Sequence, residues 1–385
     1  MIAITVSVFL FLLWRGVLPL NCKWYWRVAA GFGVLLISLK FLIVRLVGGS
    51  NFAPNLPAWT LLLFAQIHIT AFFFIFYTAL TDTFLFGLAA GKTFYILLHE
   101  KRFDWKSLLK KHPQINKIHA VGLAGAFLLS FWGISNGLAT PRIHREEIIS
   151  DRIPEQADGI TISVLADLHI DNLNNAKRMR KIVNLANALD PDIVCLLGDF
   201  ADGVQKQHLD ALSELKNLRF RHGVFGVTGN HEYYCGYQQI MAHFRKIGLP
   251  ILDNENVLLK ELNIRVCGIT DRQARKHGEL EPDIPLALAG GTPEEYRILL
   301  AHRPHEARFA ASCGADLQLS GHTHGGLVRG FDRIIAKSCK GFVSGTYRIG
   351  KMFLIVSNGT CMWSGFPLRF GRPAEIILLT LRKKR

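Results

Sequence analysis

Ile160-Thr161-Ile162-Ser163-Val164-Leu165-Ala166-Asp167-Leu168-His169 is the stretch on which the reading of this chain turns. Its apolar, β-branched run predicts a buried strand over 160–167. The strand ends in two metal-capable side chains one residue apart. Residues i and i+2 of a strand share a face, so Asp167 and His169 can reach one point in space. A single Asp-x-His is a weak signal. The chain, however, returns four more times to the same kind of place, at Gly198-Asp199, Gly229-Asn230-His231-Glu232, His302 and Gly321-His322-Thr323-His324. Each follows an apolar run: Ile193–Leu197, Val224–Thr228, Ile298–Ala301 and Leu317–Ser320. Strand ends on one edge of a sheet converge, and α/β sheets bind ligands there.

The donor inventory is carboxylate, amide oxygen and imidazole, without thiolate. That set suits Mn, Fe or Zn better than Ca, which prefers oxygen-only shells. Seven ligands exceed the needs of one four-coordinate zinc, whereas two divalent ions sharing one carboxylate use them all. The seven cysteines form no C-x-x-C pair, and Cys195 inside an apolar run reads as a small core residue.

Around the motifs, 160–250 alternates strands with helical stretches near 175–188, 207–217 and 236–247, the order of a layered α/β domain. After residue 250 the strands come closer together, at Val257–Lys260, Ile264–Gly268, Arg297–Ala301, Leu317–Ser320, Lys351–Ser357 and Ile376–Leu381. A second, more antiparallel half is expected.

The N-terminal third differs in kind. Residues 1–138 hold 12 Lys+Arg and 3 Asp+Glu, out of 45 and 30 in the chain's 385 residues. Apolar runs occupy Ile2–Trp14, which Arg15 interrupts before Leu20, then Trp26–Val47, Ala58–Leu80 and Ile118–Pro141, near the roughly 20 residues that cross a bilayer. No positive charge precedes the first and no cleavage pattern follows it, so it reads as an anchor. Thr83–Leu98, with Lys92, is read as an extension of the third run, an interfacial segment or a short span. Lys101, Arg102, Lys106, Lys110, Lys111 and Lys117 crowd the loop Glu100–Lys117, and Lys23 and Arg27 the short loop Asn21–Arg27, with the uncharged loop Gly48–Pro57 between them in the chain. With four spans the positive-inside rule puts both basic loops in the cytoplasm and everything after 141 outside it. A membrane thus accounts for the net charge of +15, and no nucleic-acid partner is expected. The expected organisation is a transmembrane domain of about four helices over 1–141, a polar linker over 142–158, and a catalytic domain over 159–385.

Asp167-Leu-His169, Gly198-Asp199-Phe-Ala-Asp202, Gly229-Asn230-His231-Glu232, His302 and Gly321-His322-Thr-His324 resemble the five motif blocks of the calcineurin-like metallophosphoesterases, over roughly 160–381. Asn254, Gly268-Ile-Thr-Asp271 and Gly365-Phe-Pro-Leu-Arg369 resemble the branch of membrane-anchored bacterial phosphoesterases, which implies an inner-membrane location. The fold implied is an N-terminal α-helical transmembrane bundle followed by a C-terminal α/β, four-layer αββα sandwich with two divalent metal ions. By resemblance, Asp167, His169, Asp199 and His324 hold one metal, and Asp199, Asn230, His302 and His322 the other. His231 is the acid that protonates the leaving oxygen, oriented by Asp202. Leu327, where relatives often carry Gln, and His305, often acidic in this branch, depart from the pattern at the pocket rim.

The implied activity is hydrolysis of phosphodiester or pyrophosphate bonds by metal-activated hydroxide, on substrates that include lipid-linked ones, with membrane lipids as the other partner. Two alternatives stand beside it. One is a pyrophosphatase of a nucleotide-linked lipid precursor of the diacylglucosamine type. The other is a transport or sensing protein with a regulatory phosphoesterase-like domain.

Overall fold

The computed structural model describes residues 10–18, 23–38, 44, 46–48, 54–99 and 115–385. Most of the basic loop 100–117, and parts of the first two apolar runs, lie outside them. The chain divides into two compact units, Met1–Leu46 with Leu62–Ile134, and Val47–Leu61 with Ser135–Arg385.

The first unit is helical. Its described helices include a short one at Leu13–Val17, α1 (Trp24–Ser38), most of α2 (Ala58–His99) and most of α3 (Ile115–Gly137). Thr83–Leu98 prolongs α2 without a break. Two stretches, Ala58–Leu88 (mean hydropathy 1.9) and Lys117–Gly137 (1.6), are long and apolar enough to cross a membrane. Within the unit, Gln66 Nε2 donates to Ser130 Oγ at 2.6 Å, and the Thr70 and Ser130 hydroxyls pair at 2.7 Å. Polar side chains meeting between two apolar helices join them specifically.

In the second unit, strands alternate their side chains between two faces, and this sets the layers. A five-stranded sheet runs β1 (Arg142–Ser150), β11 (Glu375–Lys383), β2 (Thr161–Leu165), β3 (Ile193–Leu196) and β4 (Gly223–Gly226). A six-stranded sheet runs β5 (Glu255–Leu259), β6 (Ile264–Gly268), β7 (Tyr296–Leu300), β8 (Leu317–Ser320), β10 (Met352–Val356) and β9 (Gly345–Ile349). Ile162, Val164, Ile193 and Cys195 from the first sheet pack against Ile264, Val266, Ile298 and Leu300 from the second. On the outer face of the first sheet, Leu165 and Leu196 meet Met179 and Ile182 of α4 (Ala176–Asn187), Ala211 of α5 (Lys206–Leu212), and Ile240 and Phe244 of a later helix, Tyr237–Ile247. Outside the second sheet, Leu299, Leu354 and Val356 meet Ile284, Ala307 and Ala310. Helix, sheet, sheet, helix is the α/β sandwich expected. β2, β3 and β4 are mutually parallel, as are β6, β7, β8 and β10, so their C-terminal ends share an edge within each sheet.

One expectation is corrected. The segment read as the first part of a linker, 142–150, is strand β1, paired in parallel with β11 from Arg142–Glu375 to Ser150–Lys383. Its sequence hides this because it lies at a sheet edge: charged residues face outward and Ile148 is the side chain it sends into the inter-sheet core. Ile148 is 1% exposed and its neighbour Ile149 is 53% exposed. Ile148→Ala should therefore destabilise the domain by about 2–4 kcal/mol through lost burial and a cavity, while Ile149→Ala should fall within about 0.5 kcal/mol of wild type, as surface changes do. Equal losses in denaturant unfolding of the two variants would mean that the segment is not a strand of the folded domain.

Candidate metal centre

The backbone brings the motif residues together by strain and by close approach. Asp167 and His169 follow β2, Asp199 follows β3, Asn230 opens the short helix Asn230–Cys235 after β4, His302 follows β7, and His322 and His324 follow β8. Asp167, His169, Asp199, His322 and His324 all have φ between 45° and 71°. Left-handed backbone is uncommon for residues with a Cβ and clusters at functional sites. Gly229 has to be glycine, because a methyl there would run into the Asp199 backbone and carboxylate.

Glu232 holds these turns in place. Its Oε1 accepts from the N–H groups of Phe200 (2.6 Å) and Ala201 (3.3 Å), and its Oε2 from those of Asp199 (3.0 Å) and Gly229 (2.7 Å). The same economy orients Asp199: its Oδ1 accepts from His231 N at 2.9 Å, which turns Oδ2 toward the histidines. Asp167 accepts from His322 N at 3.1 Å.

Nearly all the side chains expected at the site converge. Asp199 Oδ2 lies 3.2 Å from His302 Nε2, 3.8 Å from His169 Nε2 and 3.9 Å from His231 Nε2. His169 Nε2 is 3.1 Å from His324 Nε2, which is 3.7 Å from Asp167 Oδ1. Three-residue groups able to hold an ion include Asp167/His169/His324 and Asp199/His302/His322, with His169/Asp199/His231 sharing members with both; Asp202/His231/Cys235 is a fourth. Asp202 Oδ1 takes the Nδ1–H of both His169 (3.0 Å) and His231 (2.6 Å). Burial alone would raise Asp202, yet the two imidazoles hold it down to about 2.

These donors fit cations. A carbonyl only accepts, so His302 Nδ1, 2.6 Å from Leu197 O, must carry the proton. Its Nε2, facing Asp199 Oδ2, is then the nitrogen left to offer a lone pair to a cation. His169, donating through Nδ1 to Asp202, likewise turns a lone pair on His324. Histidines that ligate metals characteristically give their other N–H to a carboxylate or a carbonyl in this way. Without positive charge between them, the carboxylates force protons onto the rings: burial opposes it, but Asp199 and Asp167 raise His302 to about 10. Burial also lowers His231, and Asp199 and Asp202 outweigh it, raising that ring to about 9.

Two residues at the site, Arg303 and Trp363, carried no sequence signal. Arg303 is held through Nε by Asp271 at 2.6 Å, and its terminal nitrogens reach Asn230 Oδ1 (2.6 Å) and His322 Nε2 (2.7 Å). A lone arginine after a histidine belongs to no pattern. The Trp363 ring sits 5.1 Å from His324 and 5.9 Å from His169. Arg369, 1% exposed, donates to the carbonyls of Asn358 (2.6 Å) and Cys361 (3.0 Å) and so fixes the loop behind His324.

The profile of the calcineurin-like phosphoesterases matches residues 160–326. An uncharacterized metallophosphoesterase of Helicobacter pylori is 33% identical over 384 residues, covering 91% of this chain and 99% of its own. The chain belongs to the calcineurin-like metallophosphoesterase family. This metallophosphoesterase is thus a phosphoester hydrolase of a family that uses a dinuclear divalent metal site. It is also similar to a transmembrane protein with a metallophosphoesterase domain from Bos taurus, 29% identical, with 94% of this chain and 81% of that one covered. Among solved structures, a dimetal phosphatase from Danio rerio aligns with a TM-score of 0.36 at 14% identity, over 58% of this chain and 99% of that one.

Because Glu232 serves four backbone donors, Glu232→Gln turns an NH2 toward two of them. Each N–H left unpaired in a buried site costs about 1–3 kcal/mol. The variant should melt earlier and retain less metal after gel filtration. Wild-type stability and metal content would show that Glu232 does not hold the Asp199 turn.

Proposed function

We propose that this protein is a membrane-anchored phosphohydrolase that cleaves a phosphodiester or pyrophosphate bond in a lipid-linked substrate. The observation that carries the catalytic part is the position of Asp199, one carboxylate oxygen facing two groups of imidazoles. Asp167, His169, Asp199 and His324 hold one cation, and Asp199, Asn230, His302 and His322 the other. When bound, the pair supplies an acidified water and offsets charge on the phosphoryl oxygens.

The chain's own residues do the rest. His231, turned by Asp202, presents Nε2–H to the leaving oxygen and acts as general acid. Asp271 keeps the Arg303 guanidinium beside Asn230 and His322, where its planar fork suits a phosphoryl group. Trp363 walls the opposite side. Asp199→Asn should lose metal and activity together. His231→Asn should keep its metal and lose about 10²–10⁴-fold in kcat, the usual contribution of a general acid. Arg303→Ala should keep its metal, raise KM and weaken inhibition by orthovanadate. Equal metal loss in the Asp199 and His231 variants, measured by elemental analysis, would reject these roles.

Support for the membrane part comes from α2 and α3, whose large apolar side chains, among them Phe84, Phe86, Val121, Leu128 and Phe131, stand exposed. Apolar surface of that extent needs a nonaqueous neighbour. The charge asymmetry of the loops supports a multi-pass protein with its catalytic unit outside the cytoplasm. More spans than anchoring needs, and the exposed cations Arg272, Arg275 and Lys276 that follow Asp271, support a substrate at the headgroup level. A reporter fused after Arg385 should prove extracytoplasmic, and the solubilised enzyme should prefer a lipid-linked phosphoester in mixed micelles to its soluble headgroup diester. A cytoplasmic reporter would instead favour the nucleotide-linked precursor as substrate.

A further inference from the structure

A cavity of about 250 Å³ lies away from the metal centre, where the residues leaving α3 meet α4. Its ten lining residues include Lys177, Arg178 and Lys181 and no carboxylate. The other half of the wall is apolar, with Leu138, Pro141, Ile182 and Leu185.

The wall is firmly built. Arg178 donates to the carbonyls of Leu138 (2.6 Å) and Ala139 (3.0 Å), the last groups of the chain leaving α3. Asn136 Nδ2 donates to Arg369 O at 3.3 Å, and Gly137 leaves no room for a Cβ beside Pro367. The guanidinium of Arg178 is therefore committed to the wall. Lys177 and Lys181 differ. They stand one turn apart on one face of α4, both are exposed, and neither forms an ion pair among the described residues. Arg180, off the cavity, is paired with Glu214 at 2.8 Å.

We propose that this cavity binds an anionic phospholipid, its phosphate between Lys177 and Lys181 and the root of its acyl chains along Leu138, Pro141, Ile182 and Leu185. The proposal rests on reading Lys117–Gly137 as a membrane span. Leu138 is the next residue after that span, so the cavity wall begins where the hydrocarbon ends. Two unpaired ammonium groups beside an apolar wall match a ligand that is anionic at one end and apolar at the other. A soluble anion would leave the apolar half unused, and a zwitterionic headgroup would bring its own cation to the lysines. The site is separate from the metal centre, and its lipid is a resident of the fold and not the substrate.

The full-length protein, solubilised in a neutral detergent, is titrated with phosphatidylglycerol or phosphatidylcholine and followed by native mass spectrometry. Wild type should bind phosphatidylglycerol preferentially. Lys177→Ala with Lys181→Ala should bind it at least about tenfold more weakly, as the loss of two cations near a phosphate implies. Arg180→Ala should bind as wild type does, and all three proteins should hydrolyse a soluble diester equally. Equal phosphatidylglycerol binding by wild type and the double variant overturns the proposal, as does an equal loss in Arg180→Ala, which would mean diffuse charge attraction. Displacement of the lipid by millimolar inorganic phosphate overturns it in favour of a free-anion site. Release of the chain from membranes by alkaline carbonate would remove the span reading and this proposal with it, whereas loss of diester hydrolysis alone bears on the metal centre.

Discussion

Buried negative charge is the constraint on which the catalytic unit depends. Asp167, Asp199, Asp202 and Glu232 are each no more than 2% exposed and gather at one edge of two sheets. Taking carboxylates out of water is costly unless each finds hydrogen bonds or positive charge. Glu232 is satisfied by four backbone N–H groups, and Asp202 by two imidazoles. Asp167 and Asp199 meet mainly histidines that offer lone pairs. Glu232 thus takes four backbone donors and Asp202 two ring N–H groups, while Asp199 and Asp167 accept from the backbone N–H of His231 and of His322 and keep their remaining lone pairs for cations. The left-handed turns and the backbone contact at Gly229 are local consequences of crowding these groups together.

That division shows why much of the site was legible in the sequence. A ligand that follows a buried strand appears as an apolar run ending in a polar residue, and a turn forced close to its neighbour appears as glycine. Asp167, His169, Asp199, Asn230, His302, His322 and His324 all carry one of these marks. Arg303 and Trp363 carry neither. Arg303 is placed by Asp271, 32 residues earlier, through an ion pair that no local pattern records. The motif strands were found for the same reason as the ligands, since both faces of β2, β3, β7 and β8 are buried. β1 is an edge strand with mostly exposed side chains, and its charged outward residues made it look like connecting chain.

The N-terminal unit was legible in another way, through composition. Apolar helices need no motif to announce them, and α2 and α3 stand where the runs fall. Composition says little about where a run stops turning: it left Thr83–Leu98 open as an extension of Ala58–Leu80, an interfacial segment or a short span, and the structure makes it the extension. Nor does it show how the chain leaves α3. The residues 136–141, read as the end of the transmembrane domain, belong to the catalytic unit, held by Asn136, Gly137 and the carbonyls that Arg178 takes.

The central claim is that Asp199 joins two metal positions into one centre. Electron paramagnetic resonance of the full-length protein loaded with Mn²⁺ tests it most directly, alongside elemental analysis. The account predicts two Mn²⁺ per chain with the spectrum of an exchange-coupled pair, since a shared carboxylate transmits the interaction. One ion per chain at saturating metal, or two with the spectra of isolated Mn²⁺, would contradict it.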